Sequence, residues 1–211
     1  MPPKLAPLHV VILPVLHKDA EKENIMQYCE NLKKQLSELT YAGREIRVQI
    51  DSRDLRGGEK TWSWIKKGVP VRIEVGPRDI ASDSVFVARR DNDEKKGVAR
   101  AEFIATLPSL LQEIQDNLLA KALAYRQENT TEISSKDDFY AYFTPKNEKK
   151  PEIHGGFAIA NYDGSEEVED MLRKDLKVTV RCIPLEGCEP TGKCIFTGKE
   201  AKYRAIFAKS Y

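Results

Sequence analysis

The chain has 211 residues, and its 34 lysines and arginines are nearly balanced by 33 aspartates and glutamates, which leaves a formal net charge of +1. This balance excludes a strong overall field that would draw the protein to nucleic acid or anionic lipid, so any anion-binding surface must be local. Four cysteines without the spacing of a small secreted scaffold favour a reduced, cytosolic protein, and the apolar run from Val10 to Leu16 is too short to span a membrane.

The first 130 residues alternate strand-like and helical patterns. Residues 9–15 form a nearly continuous apolar run, which is typical of a strand buried on both faces. From Asp19 onward, apolar residues recur at three- and four-residue steps and predict a helix that Gly43 ends. Further strands are predicted at residues 46–50, 71–75 and 84–89, with a short one from Val98. The pattern indicates an α/β sheet with helices on its faces.

Two more helices complete this first part. A short one is predicted over residues 61–67 and is closed by Gly68; a long one has Pro108 in its first turn, where the missing N–H is harmless. The buried face of the long helix is predicted to consist of apolar residues at helical spacing, namely Leu107, Leu110, Leu111, Ile114, Leu118, Leu119 and Leu123. Polar loops are predicted at residues 51–60 and 76–79.

Basic residues are concentrated around those two loops. Between Arg44 and Arg78 there are nine lysines and arginines against five aspartates and glutamates. Taken alone, such a count favours a solvated charged surface over a binding site. It becomes informative only together with the motifs below.

The rest of the chain reads as a second unit. Residues 128–136 are polar and predict a linker, so we divide the chain into domains at 1–130 and 131–211. An aromatic-faced helix is predicted at 137–143, a strand at 157–160, and a helix at 165–175 with Ser165 as its N-cap. A strand at 178–183 and a hairpin formed by 193–196 and 203–208 around Gly198 follow. The mixture indicates a small α+β domain.

Common catalytic motifs are absent from the sequence. It contains no Walker phosphate loop, no H-E-x-x-H and no G-x-S-x-G, and its three histidines, including His17, are scattered. Cys182, Cys188 and Cys194 are spaced as C-x5-C twice, whereas zinc sites usually bring C-x2-C pairs, and Thr197 stands where a partner for Cys194 would fall. We expect neither nucleophilic catalysis nor structural zinc.

Several strings resemble one enzyme family. The segment 68–79 (GVPVRIEVGPRD), with DSR at 51–53, GEK at 58–60, Trp64 and VARRD at 87–91, resembles the class IIa anticodon-binding domain of prolyl-tRNA synthetases. NYDG at 161–164, RCIP at 181–184, GKCIFTG at 192–198 and AIFAKSY at 205–211 are similar to the C-terminal domain of the archaeal/eukaryotic type. The resemblance covers the chain in order. It implies a mixed five-stranded sheet flanked by helices, followed by a small α+β domain.

The resemblance also implies a function. This part of the family recognises the anticodon of proline tRNA for proline–tRNA ligation, while the motifs that bind ATP lie upstream. We therefore expect a fragment without the catalytic domain, with ATP and Mg²⁺ used only by the parent enzyme, which is expected to be a cytoplasmic homodimer without a membrane contact. The alternative is a structural or interaction domain that braces the missing domain or a dimer partner and has little RNA affinity.

The family reads two adjacent guanines, which offer O6 and N7 acceptors to cations and N1–H and N2–H donors to carboxylates. Arg72, Arg78 and Asp79 match family positions that face the anticodon. Ile65 stands where an acidic residue is frequent, and Thr61 stands where an aromatic one is. The full set of predicted RNA-binding residues is Arg53, Lys60, Trp62, Arg72, Arg78, Asp79 and Arg90.

Structural roles are expected for two other residues of the family motifs. Trp64 is expected in the core, and Glu74 is expected to pair with a neighbouring arginine. Zinc-binding members of the family use four cysteines; here only Cys194 matches, and the remaining positions hold Asp163, Val168 and Thr197. This departure from the family pattern also predicts that no zinc is bound. Tyr211 matches the family's terminal tyrosine.

Overall fold

The computed structural model of the chain describes residues 1–16, 19–92, 94–147, 154–187 and 189–210. His17, Cys188 and Tyr211, which entered the predictions above, lie outside these ranges. The chain divides into two compact units, Met1–Lys121 and Ala122–Tyr211. The division falls within a helix rather than after residue 130. None of the helices in the described part of the chain has the length and apolarity needed to cross a membrane.

The elements of the first unit follow the alternation of the sequence. In chain order they are β1 (Val10–Pro14), α1 (Asp19–Ser37), β2 (Thr40–Tyr41), β3 (Arg44–Glu45), β4 (Val48–Ile50), α2 (Gly57–Lys67), β5 (Val71–Val75), α3 (Pro77–Ala81), β6 (Ser84–Arg89), β7 (Lys95–Ala99) and α4 (Arg100–Glu128). Five of the strands form one sheet in the order β4-β1-β5-β6-β7. Strands β4, β1 and β5 are parallel, and β6 and β7 are antiparallel to their neighbours, so the sheet is mixed, as predicted.

The two faces of this sheet differ in chemistry. Alternate residues of β1, β5 and β6, among them Ile12, Ile73 and Val85, enter a core that α1 and α4 complete from one side. On the other face, Val11 and Leu13 pack with Trp64 of α2. Because side chains alternate along a strand, Arg72 of β5 lies on that second face, in register with Val11 and with Ala88 of β6. Helix α2 covers only part of this face.

Three sequence predictions for this unit were wrong in detail. Gly43, with φ of 76°, lies in the turn of the β2–β3 hairpin and does not end α1, because α1 already ends at Ser37 and residues 40–41 pair with 44–45. Residues 77–81 form a short helix, since the Asp79 carboxylate accepts a hydrogen bond from the Gly76 amide across its first turn. The predicted loop at 51–60 ends earlier, because α2 already begins at Gly57.

The long helix α4 also differs from its prediction. It begins at Arg100, so Pro108 lies inside it, at a position where only one intrahelical hydrogen bond is lost. Its buried face is shorter than expected, because Leu119 and Leu123 are 56% and 38% exposed. The N-terminal half supplies the core, with Phe103 and Leu107 buried.

The second unit is a four-stranded sheet with two helices. After the end of α4 it contains β8 (Thr130–Glu132), α5 (Lys136–Phe143), β9 (Phe157–Tyr162), α6 (Glu166–Leu176), β10 (Val178–Cys182) and β11 (Tyr203–Lys209), with the strand order β10-β11-β9-β8. Phe139 lies at the centre of its core, with its ring centroid 4.9 Å from Phe143, 4.9 Å from Phe196 and 5.2 Å from Phe207. The predicted aromatic helix is therefore confirmed.

The predicted linker and hairpin of this unit were wrong. Residues 130–132 pair in parallel with β9, so the polar segment is a sheet edge rather than a linker. Residues 203–209 form a central strand between β9 and β10, while Lys193 and Glu200 make only an isolated bridge. Ser165 precedes α6 as predicted, but its hydroxyl donates to Asp163 instead of capping the helix.

Candidate nucleic-acid interface

Two adjoining clefts border the face of the first sheet that carries Arg72. The larger, which we call the main cleft, has a volume of about 1020 Å³ and lies between the end of β1, the loop 52–56 and the first turns of α2. The smaller, the side cleft, has a volume of about 250 Å³ and lies between α2, β6 and the turn that precedes β7. Thr61, Ile65 and Lys95 line both clefts.

Cations dominate the lining of these clefts although the whole chain is nearly neutral. Among the described residues that line them, three acidic residues, Asp54, Glu74 and Glu94, are outnumbered by eight cationic ones, which are Lys22, Arg53, Arg56, Lys60, Arg72, Arg89, Arg90 and Lys95. Helix α2 also begins at the main cleft, and its N-cap residue makes no side-chain hydrogen bond to the first turn. Basic side chains and an uncapped helix N-terminus both favour anions such as RNA phosphates.

A buried carboxylate organises the loop side of the main cleft. Asp51, which is 2% exposed, accepts two hydrogen bonds from the Arg53 guanidinium at 2.8 and 2.7 Å and one from the Trp64 indole at 2.7 Å. The hydrogen bonds from Arg53 hold the pKa of Asp51 well below its usual range, although burial alone would raise it. Lys60 donates to the backbone oxygen of Asp51 at 3.3 Å. The arrangement fixes the positions of Arg53 and Lys60 at the cleft wall.

Arg72 is a buried cation of the side cleft. Its residue is 7% exposed, and its Nε atom is buried without a hydrogen-bond partner in the described part of the chain. Burial, reinforced by the charge of Arg90, lowers the pKa of Arg72, whereas Glu74 raises it. A buried guanidinium nitrogen with no partner is costly, so it points to an acceptor that a ligand supplies.

Arg90 lies beside this position, and its two neighbours in sequence form an ion pair with each other. Arg90 donates to the Ile65 carbonyl at 3.1 Å and remains exposed. On either side of it in sequence, Arg89 and Asp91 form two hydrogen bonds at 3.0 and 2.7 Å, with side chains that are 8% and 0% exposed. Asn117 of α4 donates to the same carboxylate at 2.8 Å. The turn carrying Arg90 is therefore tied to α4.

The two tryptophans of α2 have different environments. Trp62 is 58% exposed and lines the main cleft, where its ring is available for stacking on a base. Trp64 is 4% exposed and packs with Val11 and Leu13, with the Lys67 ammonium 4.1 Å from its ring centroid. The expectation that Trp64 belongs to the core is confirmed, so it is not a stacking surface.

The structure does not bring all predicted RNA-binding residues together. Arg53, Lys60 and Trp62 line the main cleft, and Arg72 and Arg90 line the side cleft. Arg78 and Asp79 line neither cleft. Arg78 is exposed on α3, and Asp79 uses its carboxylate to accept the Gly76 amide at 2.8 Å.

Lys95 and Glu74 are two of the cleft residues that the sequence did not identify as binding candidates. Lys95 reaches the clefts because β7 pairs with β6, where it lies opposite Ala88. Glu74 lies two positions after Arg72 on the same face of β5, and no ion pair or hydrogen bond of its carboxylate is found among the described residues. The period-2 alternation of β5 could have indicated the position of Glu74. The strand pairing that places Lys95 is not visible in the sequence.

In the second unit, two of the positions that match the family's zinc ligands hold Val168 and Thr197, whose side chains are not zinc ligands. Asp163 accepts hydrogen bonds from Ser165 and Thr197, each at 2.7 Å, which outweigh the effect of burial and lower its pKa. Val168 is 3% exposed within the core, and Cys194 is 2% exposed. Among the described residues, no group of three or more histidine, cysteine or acidic side chains is placed to hold a metal ion. This donor set does not fit zinc.

Comparison with known proteins finds a matching family model for each unit. Residues 9–110 match the family model of the anticodon binding domain, and residues 146–211 match that of the prolyl-tRNA synthetase C-terminal domain. A proline–tRNA ligase 2 of Anaeromyxobacter dehalogenans is 52% identical over all of this chain and 42% of its own length. A proline–tRNA ligase of Protochlamydia amoebophila is 45% identical with the same coverage. The chain thus spans about 42% of the curated relatives it matches.

Solved structures lead to the same family. The crystal structure of prolyl-tRNA synthetase from Cryptosporidium parvum, complexed with L-proline and AMP, superposes with a TM-score of 0.81 at 32% identity and covers all of this chain and 42% of that protein. Both family models and this structure point to one assignment. The chain consists of the anticodon-binding domain and the C-terminal domain of the prolyl-tRNA synthetase family.

Proposed function

We propose that this chain recognises the anticodon of proline tRNA through the main and side clefts, as part of a proline–tRNA ligase. The observation that carries the proposal is the buried Nε of Arg72, which lacks a partner in the described part of the chain and lies at a cleft rich in cations. Guanine O6 and N7 are acceptors suited to such a guanidinium. Trp62 provides an exposed ring for a splayed-out base.

The parent protein is proposed to be of the archaeal/eukaryotic type. The match of residues 146–211 to the C-terminal domain model supports this subtype, which here describes an architecture rather than a source, since the relatives named above are bacterial. In such a parent, a separate catalytic domain uses ATP and Mg²⁺, and the enzyme acts as a cytoplasmic homodimer. The 42% coverage of the relatives leaves room for that domain.

The decisive experiment is a binding titration with proline tRNA and a control tRNA at several salt concentrations. We expect the chain to prefer proline tRNA, with an affinity that falls as salt rises because cleft cations release counterions. Arg72→Met, which keeps the packing of the side chain but removes the guanidinium, should weaken proline tRNA by about 10–100-fold, the effect of a hydrogen bond to a charged group. The control tRNA should be affected much less.

Arg44→Ala is the matched control, because Arg44 is exposed on β3 and lines neither cleft. It removes the same charge from the same unit and should change binding less than twofold. Thermal melts of both variants establish that they remain folded. Equal, weak binding of both tRNAs by the unmodified chain would contradict the proposal and favour a structural or interaction domain.

A further inference from the structure

Strand β5 carries one cation and one anion on the face that is lined by the clefts. Arg72 and Glu74 are two residues apart, so their side chains project from the same side of the sheet about 6.6 Å apart along the strand. Arg72 lines the side cleft and Glu74 the main cleft, and the two clefts share Thr61, Ile65 and Lys95. A single flat ligand lying across the shared residues would meet both charges.

Glu74 has no evident structural task. It is half-buried, and the part of the chain that the structure describes contains no salt bridge within 4.0 Å and no hydrogen bond of its carboxylate. The sequence expectation that it pairs with an arginine is therefore not met by contact, although its charge influences Arg72. The other acidic residues in the described lining of the clefts, Asp54 and Glu94, are exposed and lie outside the strands.

We propose that Arg72 and Glu74 bracket one guanine, with Arg72 donating to O6 and N7 and Glu74 accepting from N1–H and the N2 amino group. Guanine presents acceptors on one edge and two adjacent donors on the next, and the spacing along β5 is of the same order as the separation of those edges. Ile65, at the shared wall, contacts the base as an apolar surface. Adenine offers an unprotonated N1 to the carboxylate and is rejected. Glu74 is thus a specificity-determining residue of the site.

This inference rests on the proposed function and deepens it. It is tested with the full chain and a proline anticodon stem-loop RNA in which each of the two guanines is replaced in turn by inosine, which lacks only the N2 amino group, or by adenine. For the guanine bound at β5, inosine should weaken binding about tenfold and adenine more, because each lost hydrogen bond to a charged group is worth about that factor.

Glu74→Gln, which keeps the shape but loses the charge, should weaken the guanine RNA about tenfold and bring the guanine-to-inosine ratio close to one. Glu45→Gln is the matched control, since Glu45 is exposed on β3 and lines neither cleft, and its substitution removes the same charge and should leave the ratio unchanged. An unchanged ratio in Glu74→Gln, or tighter binding of all RNAs alike, would overturn the inference while the preference for proline RNA persisted. Loss of that preference in the unmodified chain would instead overturn the proposed function, and this inference with it.

Discussion

The buried ion pair between Arg89 and Asp91 permits a sharp stability prediction. Asp91 is fully enclosed and accepts from Arg89 twice and from Asn117 once, whereas Glu113, the second partner of Arg89, has a side chain that is 56% exposed. In Asp91→Asn, an amide replaces the carboxylate. Its NH₂ group would then face the N–H donors of Arg89 or Asn117. Removing one member of a buried pair costs about 3–5 kcal/mol because the partner charge stays buried.

The assay is the thermal or urea denaturation of the chain, followed through signals of the first unit. Asp91→Asn should lower the midpoint of that transition by at least about 10 °C. Glu113→Gln is the matched control, because an exposed partner of the same arginine contributes less than about 1 kcal/mol. If the denaturation midpoints of both variants fell by the same small amount, the reasoning from burial would be refuted.

The same pair predicts a pH dependence with a definite sign. Burial alone would raise the pKa of Asp91, but hydrogen bonds from Arg89 and Asn117 outweigh it and hold that pKa below its usual value. A depressed folded pKa contributes stability that is complete above the unfolded value of about 3.9 and is lost as pH falls through the folded pKa. The difference between the unmodified chain and Asp91→Asn should therefore be constant near neutrality and shrink below about pH 4.

Three further predictions concern other parts of the chain. Phe139→Ala removes the centre of the aromatic cluster in the second unit and should cost it about 3–5 kcal/mol, measured by denaturation; a loss below about 1 kcal/mol would contradict the packing. Iodoacetamide at pH 8 should label the exposed Cys182 and spare Cys29, because burial raises the pKa of the Cys29 thiol to about 12. Peptide mass spectrometry measures the labelling of each cysteine. Equal labelling of the two would contradict the prediction. The Asp163 carboxylate accepts a hydrogen bond from Thr197, so metal analysis should find far less than one equivalent of zinc. EDTA should leave the melting temperature of the second unit unchanged. Stoichiometric zinc would contradict this prediction.

Local patterns predicted much of the first unit. The apolar run of β1 and the alternation of β5 and β6 identified the sheet, since burial on one or both faces dictates the period of apolar residues. The stripe of α1 was equally informative, because Ile25, Cys29, Leu32 and Leu36 are all buried. Helix α3 escaped prediction because five residues are too few to show a period and its first turn is closed by Asp79.

The candidate site was only partly visible in the sequence. Motif resemblance identified Arg72, and the structure places it at a cleft, but Arg78 and Asp79 lie on α3 outside both clefts. The contributions of Lys95 and Glu74 depend on which strands become neighbours and on which face of β5 is left uncovered by α2. These are tertiary properties: the alternation of β5 places Glu74 on the same face as Arg72, but it does not indicate that this face borders a cleft.

The position of β5 inside the sheet limits how this surface can change over evolution. It is paired with β1 on one side and β6 on the other, so a one-residue insertion or deletion would exchange its two faces, moving Arg72 and Glu74 into the core and Ile73 out of it. Such a change would disrupt the core of the first unit before it could alter what the surface binds. A change in what this face of β5 binds must therefore arise by replacement at fixed positions of the strand.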